Sequence, residues 1–468
     1  MMRLEAIADV ERHFDDGEFR ADLARRVAIK STAQVPELRD QLEYYLRGEI
    51  GPTLAGLGYQ WSTYENPDPR GGPFLVAQRH ENPDRPTVLT YGHGDVVRGL
   101  EGEWSDDRDP WTLDVDGDRW YGRGTADNKG QHSINIAALA TVLGVRGSLG
   151  FNSTIFLETS EEVGSPGLAH FAADNRQLLA ADVLIGSDGP RLQPQSPTMF
   201  MGTRGAMNFN LGIDLREGSH HSGNWGGLIS NAGTRLANAL ASLVGPRGEI
   251  LVEELKPEVI PPSIRQVLDG VEVDGGADGP VVDPEWGEPG LTPAERVFAW
   301  NAFEILAFEA GNPAKVVNAI PPRATAWCQI RFTADRDPVT FLPAIRRHLD
   351  EAGFGEVALQ RADDDAMMRA TRLLPDHEWV RWATRSIETT IDGALTVLPN
   401  LGGTLPNDVF ADILGMPTIW VPHSYASCSQ HAPNEHVLAP IMREGLRIMT
   451  GLFWDMGEAG TPEIAARE

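Results

Sequence analysis

Glu161 and Glu162 stand side by side in "ETSEEVGS", directly after the apolar run "STIFL", with no lysine or arginine within several residues. Similar residues recur at other junctions. His93 and Asp95 lie in "YGHGDVV", Asp127 in "YGRGTADNKGQ", Asp188 in "GSDGP" and His431 in "SQHAPNEH". Each has a plain structural reading taken alone: an aspartate before glycine forms turns, and a histidine in a glycine-rich loop is often a surface or capping residue. Together they are two histidines and several carboxylates gathered where apolar runs end. Clustered carboxylates repel unless neutralised. Two divalent cations would neutralise them, and an imidazole and carboxylate donor set suits zinc, with manganese and cobalt also compatible.

Such residues need elements that bring them to one place. Helical spacing marks "ADLARRVAIK" and "QLEYYLRGEIGPTLAGLG", and "SINIAALATVLGV" is a long apolar helix. Strands are expected at "PFLVAQR", "TVLTYGHGDVV", "STIFLET" and "ADVLIGSDG". Strands alternating with helices predict an α/β fold with a largely parallel sheet, whose sites form at the carboxyl ends of its strands. A second pattern begins near residue 206. Strands "AMNFNLGIDLR", "RATAWCQIRFT" and "EVALQRA" enclose the helices "SNAGTRLANALASLV" and "DPVTFLPAIRRHLDEAG". Between them, roughly residues 245 to 300 are rich in loops, with helix expected at "PPSIRQVLDG" and "TPAERVFAWNAF". This predicts a small α+β domain inserted into the first. The helix "EWVRWATRSIETTI" and the strand "MPTIWVPH" then return to the first domain.

The chain of 468 residues is long for one core, so two domains are expected. It is 41% apolar and 23% charged, as globular proteins are, and has no apolar run of about 18 residues to span a membrane. The formal net charge of −27 argues against nucleic acid and anionic membranes as partners. The charged start "MMRLEAIADVERHF" lacks the apolar stretch of a signal peptide, and Cys328 and Cys428 form neither a disulfide framework nor a CxxC pair. A cytoplasmic location is the expectation. No GxSxG elbow follows a strand, which sets aside a serine hydrolase.

At this point the chain resembles metallopeptidase family 20. That family of dinuclear peptidases and deacylases includes carnosinase and the cytosolic dipeptidases, acetylornithine deacetylase, succinyl-diaminopimelate desuccinylase and glutamate carboxypeptidase. "YGHGDVV", "WYGRGTADNKGQ", "ETSEEVGS", "IGSDGP", "GTRGAMNF", "HHSGNWGG", "VVNAIPPRATAWCQIRF", "GGTLP" and "HAPNEH" stand in family order from about residue 90 to 436. "GTRGAMNF", "HSGNWGG" and the long gap from His221 to Asn318 are similar to the carnosinase-like dipeptidase branch.

The resemblance implies an α/β catalytic domain with a mixed, largely parallel sheet flanked by helices, over residues 1–205 and 364–468. It implies a ferredoxin-like α+β dimerisation or lid domain over 206–363. His93 and Asp188 would hold one metal ion, Glu162 and His431 the other, and Asp127 would bridge them. Asp95 would orient a ligand. Glu161 would be the general base, taking a proton from a water shared by the cations and passing it to the departing amine. His221 would reach the partner subunit's active site and stabilise the oxyanion there. Asn318 and Arg331 would hold substrate, Arg331 by its free carboxylate, and Gly403 and Thr404 would meet the same end. The implied protein is a homodimeric hydrolase with two divalent ions per chain, zinc first. It would cleave an amide beside a free carboxylate, in a dipeptide first and an N-acyl amino acid second. A catalytically inactive metal-binding homologue is the rival of another class, set aside because Glu161 and every ligand position are filled. Two departures stand out. "GHGDVV" has a small residue where dipeptidases carry a larger one, and Asn407 and Asp408 in "GGTLPNDVF" have no assigned role.

Overall fold

The computed structural model describes residues 2–276, 279–362 and 367–462. Its larger sheet has eight strands. In spatial order they are Gln60–Tyr64, Phe74–Arg79, Asn152–Glu158, Thr87–His93, Val183–Gly186, Thr418–Trp420, Thr198–Phe200 and Thr396–Leu398. The four central strands, Asn152–Glu158 to Thr418–Trp420, run parallel. Every residue of Thr87–His93 and of Asn152–Glu158 is buried, as strands covered on both faces require. The helix Lys129–Arg146 links those two strands and packs with Met2–Asp15 and Ala439–Met456. Arg3 fastens the first of these helices to the last, donating from Nε to Asp455 at 2.8 Å.

Close approach of that linking helix to the sheet depends on a glycine. A Cβ at Gly92 would lie 2.7 Å from the Cβ of His132, so a side chain next to His93 would push the helix away. Parallel strands place their carboxyl ends together. His93 closes its own strand, Asp188 follows Gly186 by two residues, and Glu161 and Glu162 follow Glu158 within one short turn.

The second sheet is built from Gly205–Asp214, Ala302–Ala310, Arg323–Phe332 and Ala358–Arg361, with Met367–Met368 pairing beside the first. All its pairings are antiparallel. Helix Ala232–Leu243 joins its first and second strands, and Phe341–Glu351 its third and fourth. The chain order β-α-β-β-α-β, with spatial order second, third, first, fourth, is the ferredoxin-like arrangement. Alternation along the strands divides its faces. Phe209, Leu211, Ala326 and Ile330 pack against Leu236, Leu240, Ile345 and Leu349 of the two helices. Each such burial contributes about 1.5–3 kcal/mol for a large aliphatic or aromatic side chain. The opposite face carries Asn208, Gln329 and Arg331.

Helices Pro262–Val267 and Pro293–Phe298 form where expected, the second starting with a capping box between Thr292 and Glu295. That helix stops at Phe298, and the residues after it enter the strand Ala302–Ala310, which the helical reading of "TPAERVFAWNAF" did not anticipate. Ile260, Ile264, Leu268, Ala294 and Phe298 pack with Phe156, Leu184 and Trp420 of the larger sheet.

Candidate metal centre

Two groups of ligand atoms lie at the carboxyl end of the parallel strands, and both contain Asp127. His93, Asp127 and Asp188 form one, and Asp127, Glu162 and His431 the other, with the donor atoms of each group within 4.8 Å of one another. His93 Nε2 is 2.8 Å from Asp127 Oδ1 and 3.7 Å from Asp188 Oδ2. His431 Nε2 is 3.0 Å from Asp127 Oδ2 and 2.9 Å from Glu162 Oε2. A carboxylate that presents one oxygen to each group can be shared by two ions. Asp188 Oδ2 and Glu162 Oε1 are buried with no hydrogen-bond partner, an arrangement that costs stability unless something positive is bound there. The donor set and its orphaned oxygens therefore fit a pair of divalent cations.

Electrostatics point the same way. Burial, then Asp127, pushes the Asp188 carboxyl up to about 7. Burial and Asp127 likewise raise Glu162 to about 7. Burial would raise Asp127 too, but hydrogen bonds with His431 and His93 hold it well below the carboxylate range. Burial raises Glu161 strongly, and Glu162, Asp127 and Asp188 add to this while His93 opposes it. Carboxyls driven towards neutrality by burial and by each other regain their charge when cations sit among them.

Neighbouring groups orient the ligands. Asp95 is fully buried, and its two carboxylate oxygens accept the backbone N–H of Glu161 at 3.2 Å and of Glu162 at 3.1 Å. His93 Nδ1 lies 3.0 Å from the Asp95 carbonyl oxygen. With its proton on Nδ1 donated there, His93 could offer the Nε2 lone pair to a cation held with Asp127. Asp95 thus fixes the positions of His93 and of both glutamates. Glu161 belongs to neither ligand group. Glu158, at the end of its strand, accepts from Tyr91 Oη at 2.8 Å and Ser165 Oγ at 3.0 Å, tying down the base of the loop that carries the two glutamates.

A cavity of about 630 Å³ opens beside His431, whose side chain is 53% exposed. Arg331, Gly403 and Thr404 line it, with Asn208, Gln329 and Gln430. Arg331 donates from Nη1 to Thr404 Oγ1 at 2.6 Å and from Nε to Gln329 Oε1 at 2.8 Å. His221 and Asn318 are elsewhere. Both are exposed on the inserted domain, where His221 pairs with Ala319 across a short ladder and Asn318 accepts from the Ser222 N–H. The seven junction residues therefore converge within one subunit, Arg331, Gly403 and Thr404 line the adjacent cavity with His431, and His221 and Asn318 do not.

Sequence reasoning missed several contributors. Gln430, next to His431, donates to Asp127 Oδ2. Glu435, in the same "HAPNEH" segment, reaches the loop of Asp127 and is paired with Arg123. The sequence shows only an arginine between two glycines in "GRG" and a glutamate four residues after His431, and nothing in it says that the two pair. Asn407 also receives a role. It donates to Thr371 Oγ1 at 2.6 Å and Thr418 Oγ1 at 2.9 Å and accepts from Trp420 Nε1 at 3.0 Å, so it is a core residue and not a substrate contact.

Residues 89–455 match the model of peptidase family M20/M25/M40. Among curated proteins, the chain is 30% identical over 264 residues to a cysteinylglycine-S-conjugate dipeptidase of Corynebacterium striatum, covering 54% of each. It is 32% identical over 266 residues to a β-Ala-His dipeptidase of Mus musculus, covering 54% of this chain and 53% of that one. The human β-Ala-His dipeptidase aligns at 24% over 476 residues, 96% of this chain and 92% of that one. The chain thus spans about half the length of the bacterial and mouse relatives and most of the human one. Human carnosine dipeptidase 1 shares the fold at a TM-score of 0.80 with 22% identity, over 98% of this chain and 99% of that one. The dipeptidase Dug1p of Saccharomyces cerevisiae does so at 0.80 with 19% identity, over 99% and 100%.

Proposed function

We propose, from the premise that the chain belongs to peptidase family M20/M25/M40, that it is a metal-dependent dipeptidase. The observation that carries this reading is the pair of ligand groups sharing Asp127 beside a cavity that holds Arg331. His93 and Asp188 would bind one ion, Glu162 and His431 the other, and Asp127 both. Bound cations would supply Lewis acidity, lowering the pKa of water and polarising the scissile carbonyl. Zinc is the first choice of ion, because nitrogen and oxygen donors at this number suit it.

Glu161 has the part of the proton carrier. It lies next to a ligand yet belongs to neither ligand group, so its carboxylate is available to take a proton from water and return it to the leaving amine. Arg331 would pair with the substrate's free carboxylate through its guanidinium fork, with Thr404 and Gly403 beside it. The relatives' names put β-Ala-His and Cys-Gly dipeptides first among substrates to try.

We further propose a homodimer in which His221 and Asn318 act on the partner subunit's site. Both sit on the inserted domain, away from the ligands of their own chain, and Trp225, Leu228, Leu306 and Val316 are exposed on the same domain. The division into a catalytic part, 1–205 and 364–468, and a lid, 206–363, is supported by the two main sheets, with two exceptions: Met367–Met368 pairs in the second sheet, and helices Pro262–Val267 and Pro293–Phe298 pack against the larger one. Its second boundary, at 363 and 364, lies outside the described residues. Among the described residues no helix is long and apolar enough to cross a membrane, and we keep the cytoplasm as the proposed location.

The test is an assay of chelator-stripped protein with each metal added back, against dipeptides, their C-terminal amides and N-acyl amino acids. The expected result is metal-dependent cleavage of dipeptides, with the amides much poorer. Cleavage of N-acyl amino acids alone would replace the dipeptidase by an amidohydrolase.

A further inference from the structure

Asp127 sits in a loop, not on a strand or in a helix, yet its two carboxylate oxygens must face two ligand groups at once. The sheet that places His93, Glu162 and Asp188 cannot place it. The loop instead wraps a single buried carboxylate. Glu435 Oε1 accepts the backbone N–H of Gly124 at 3.0 Å, of Ala126 at 3.0 Å and of Asp127 itself at 3.2 Å. Glu435 Oε2 accepts from Arg123 Nη1 at 2.6 Å. Both side chains are buried, Glu435 at 1% and Arg123 at 0% exposure. The same guanidinium donates from Nη2 to the carbonyl of Ala432, next to His431, and from Nε to that of Arg98.

We infer that Glu435, braced by Arg123, is the positioning residue that sets Asp127 and His431 relative to one another for metal binding. These two ligands are 304 positions apart in sequence and share no strand. The Glu435–Arg123 pair is bonded to the backbone of both segments. Successive N–H groups converging on one oxygen form a concave anion seat, and a full negative charge fills it better than a neutral amide. The arginine makes that charge tolerable in the interior. This inference rests on the dinuclear metal reading proposed above and goes beyond it, because Glu435 offers no donor atom to either ligand group and meets Asp127 only through the backbone N–H.

The test titrates the full-length apoprotein with zinc against a competing chelator, for wild type, Glu435→Gln and the double variant Arg123→Gln/Glu435→Gln, at a temperature where each is folded. Thermal unfolding of each apoprotein is measured alongside. Glu435→Gln keeps the acceptor but leaves Arg123 unpaired, so its melting temperature falls, and its zinc affinity should drop about 10–100-fold, as when a ligand's supporting group is removed. The double variant removes both buried charges together, so stability should return towards wild type while zinc affinity stays low. A purely structural role makes the opposite forecast, with affinity recovering along with stability. Wild-type zinc affinity in the folded double variant overturns the inference, and this holds even where Glu435→Gln alone does not fold. Wild-type protein that binds no zinc overturns the metal reading and the inference with it. Wild type that binds zinc, with variants that bind it equally well, overturns the inference alone.

Discussion

Adjacent glutamates can take different roles when the backbone beneath them is fixed. Asp95 holds the N–H groups of both Glu161 and Glu162, so neither can swing into the other's place. Glu162 reaches His431, and Glu161 stays outside the ligand groups. Glu161→Gln should therefore lower turnover by at least about 10²–10⁴-fold, the usual worth of a general base, and leave metal content unchanged. Glu162→Gln should lower metal content as well. Elemental analysis beside steady-state kinetics separates the two, and equal metal content in both variants would refute the division of roles. The thiols offer a simpler case. Burial raises Cys328 and Cys428 to about 12, so neither is a thiolate at neutral pH. Native protein should resist iodoacetamide, and unfolded protein should take up two adducts by mass spectrometry. These ionisations were invisible in the sequence, where the cysteines showed only their spacing. The seven junction residues were legible there because each lies near a glycine or proline, at the end of an apolar strand or in a loop. Glu435, Arg123 and Gln430 were not, because their roles arise from contacts between segments far apart in the chain.

At the level of elements, legibility followed burial. The strands Thr87–His93, Asn152–Glu158 and Val183–Gly186 are short apolar runs because both faces are covered, and the sequence announced them. Ala302–Ala310 is mostly exposed at the edge of its sheet, with an irregular register between Ile305 and Ala307. Its apolar run, Ile305 to Phe308, is only four residues long and does not alternate, and the capping box ahead of it favours a helical reading. The brief strands Thr198–Phe200 and Thr396–Leu398 are too short to show any period. Asn407 belongs to this scale too, because it ties the π-helical turn Val409–Ile413 to the strand Thr418–Trp420. Asn407→Ala leaves Trp420 Nε1 and the hydroxyls of Thr371 and Thr418 without their buried partner. It should cost about 1–3 kcal/mol per group left unsatisfied. The denaturation midpoint should fall while the folded protein keeps its metal content. An unchanged midpoint would show that the three groups find other partners.

For the whole molecule, the question is whether one chain makes a complete site. The ligands, Glu161 and Arg331 converge within a subunit, whereas His221 is exposed on the inserted domain. If His221 serves the partner's site, a donor to the developing oxyanion is supplied in trans. Its removal should cost about 10²–10³-fold in turnover with little change in KM. Mixing His221→Ala chains with Glu161→Gln chains, each nearly inactive alone, gives mixed dimers in which one site has lost both residues and the other keeps both. Activity should return to at most roughly a quarter of wild type for random pairing of equal amounts. No recovery, with subunit exchange demonstrated by mass spectrometry, would confine His221 to its own chain or exclude it from catalysis. A small inserted α+β domain was legible from two helices and three strands and its ferredoxin-like arrangement from the family resemblance, but the direction in which His221 faces was not, because it depends on how the inserted domain sits over the sheet.

The central claim is that Asp127 is shared by two cations that the reaction requires. Its most direct measurement is metal content against activity in one titration. Protein stripped with a chelator and dialysed is titrated with zinc, and bound metal and dipeptide hydrolysis are read at each step. The stripped protein should be inactive, and binding should saturate at about two ions per chain, with activity tracking occupancy. An active protein with no bound metal would contradict the claim.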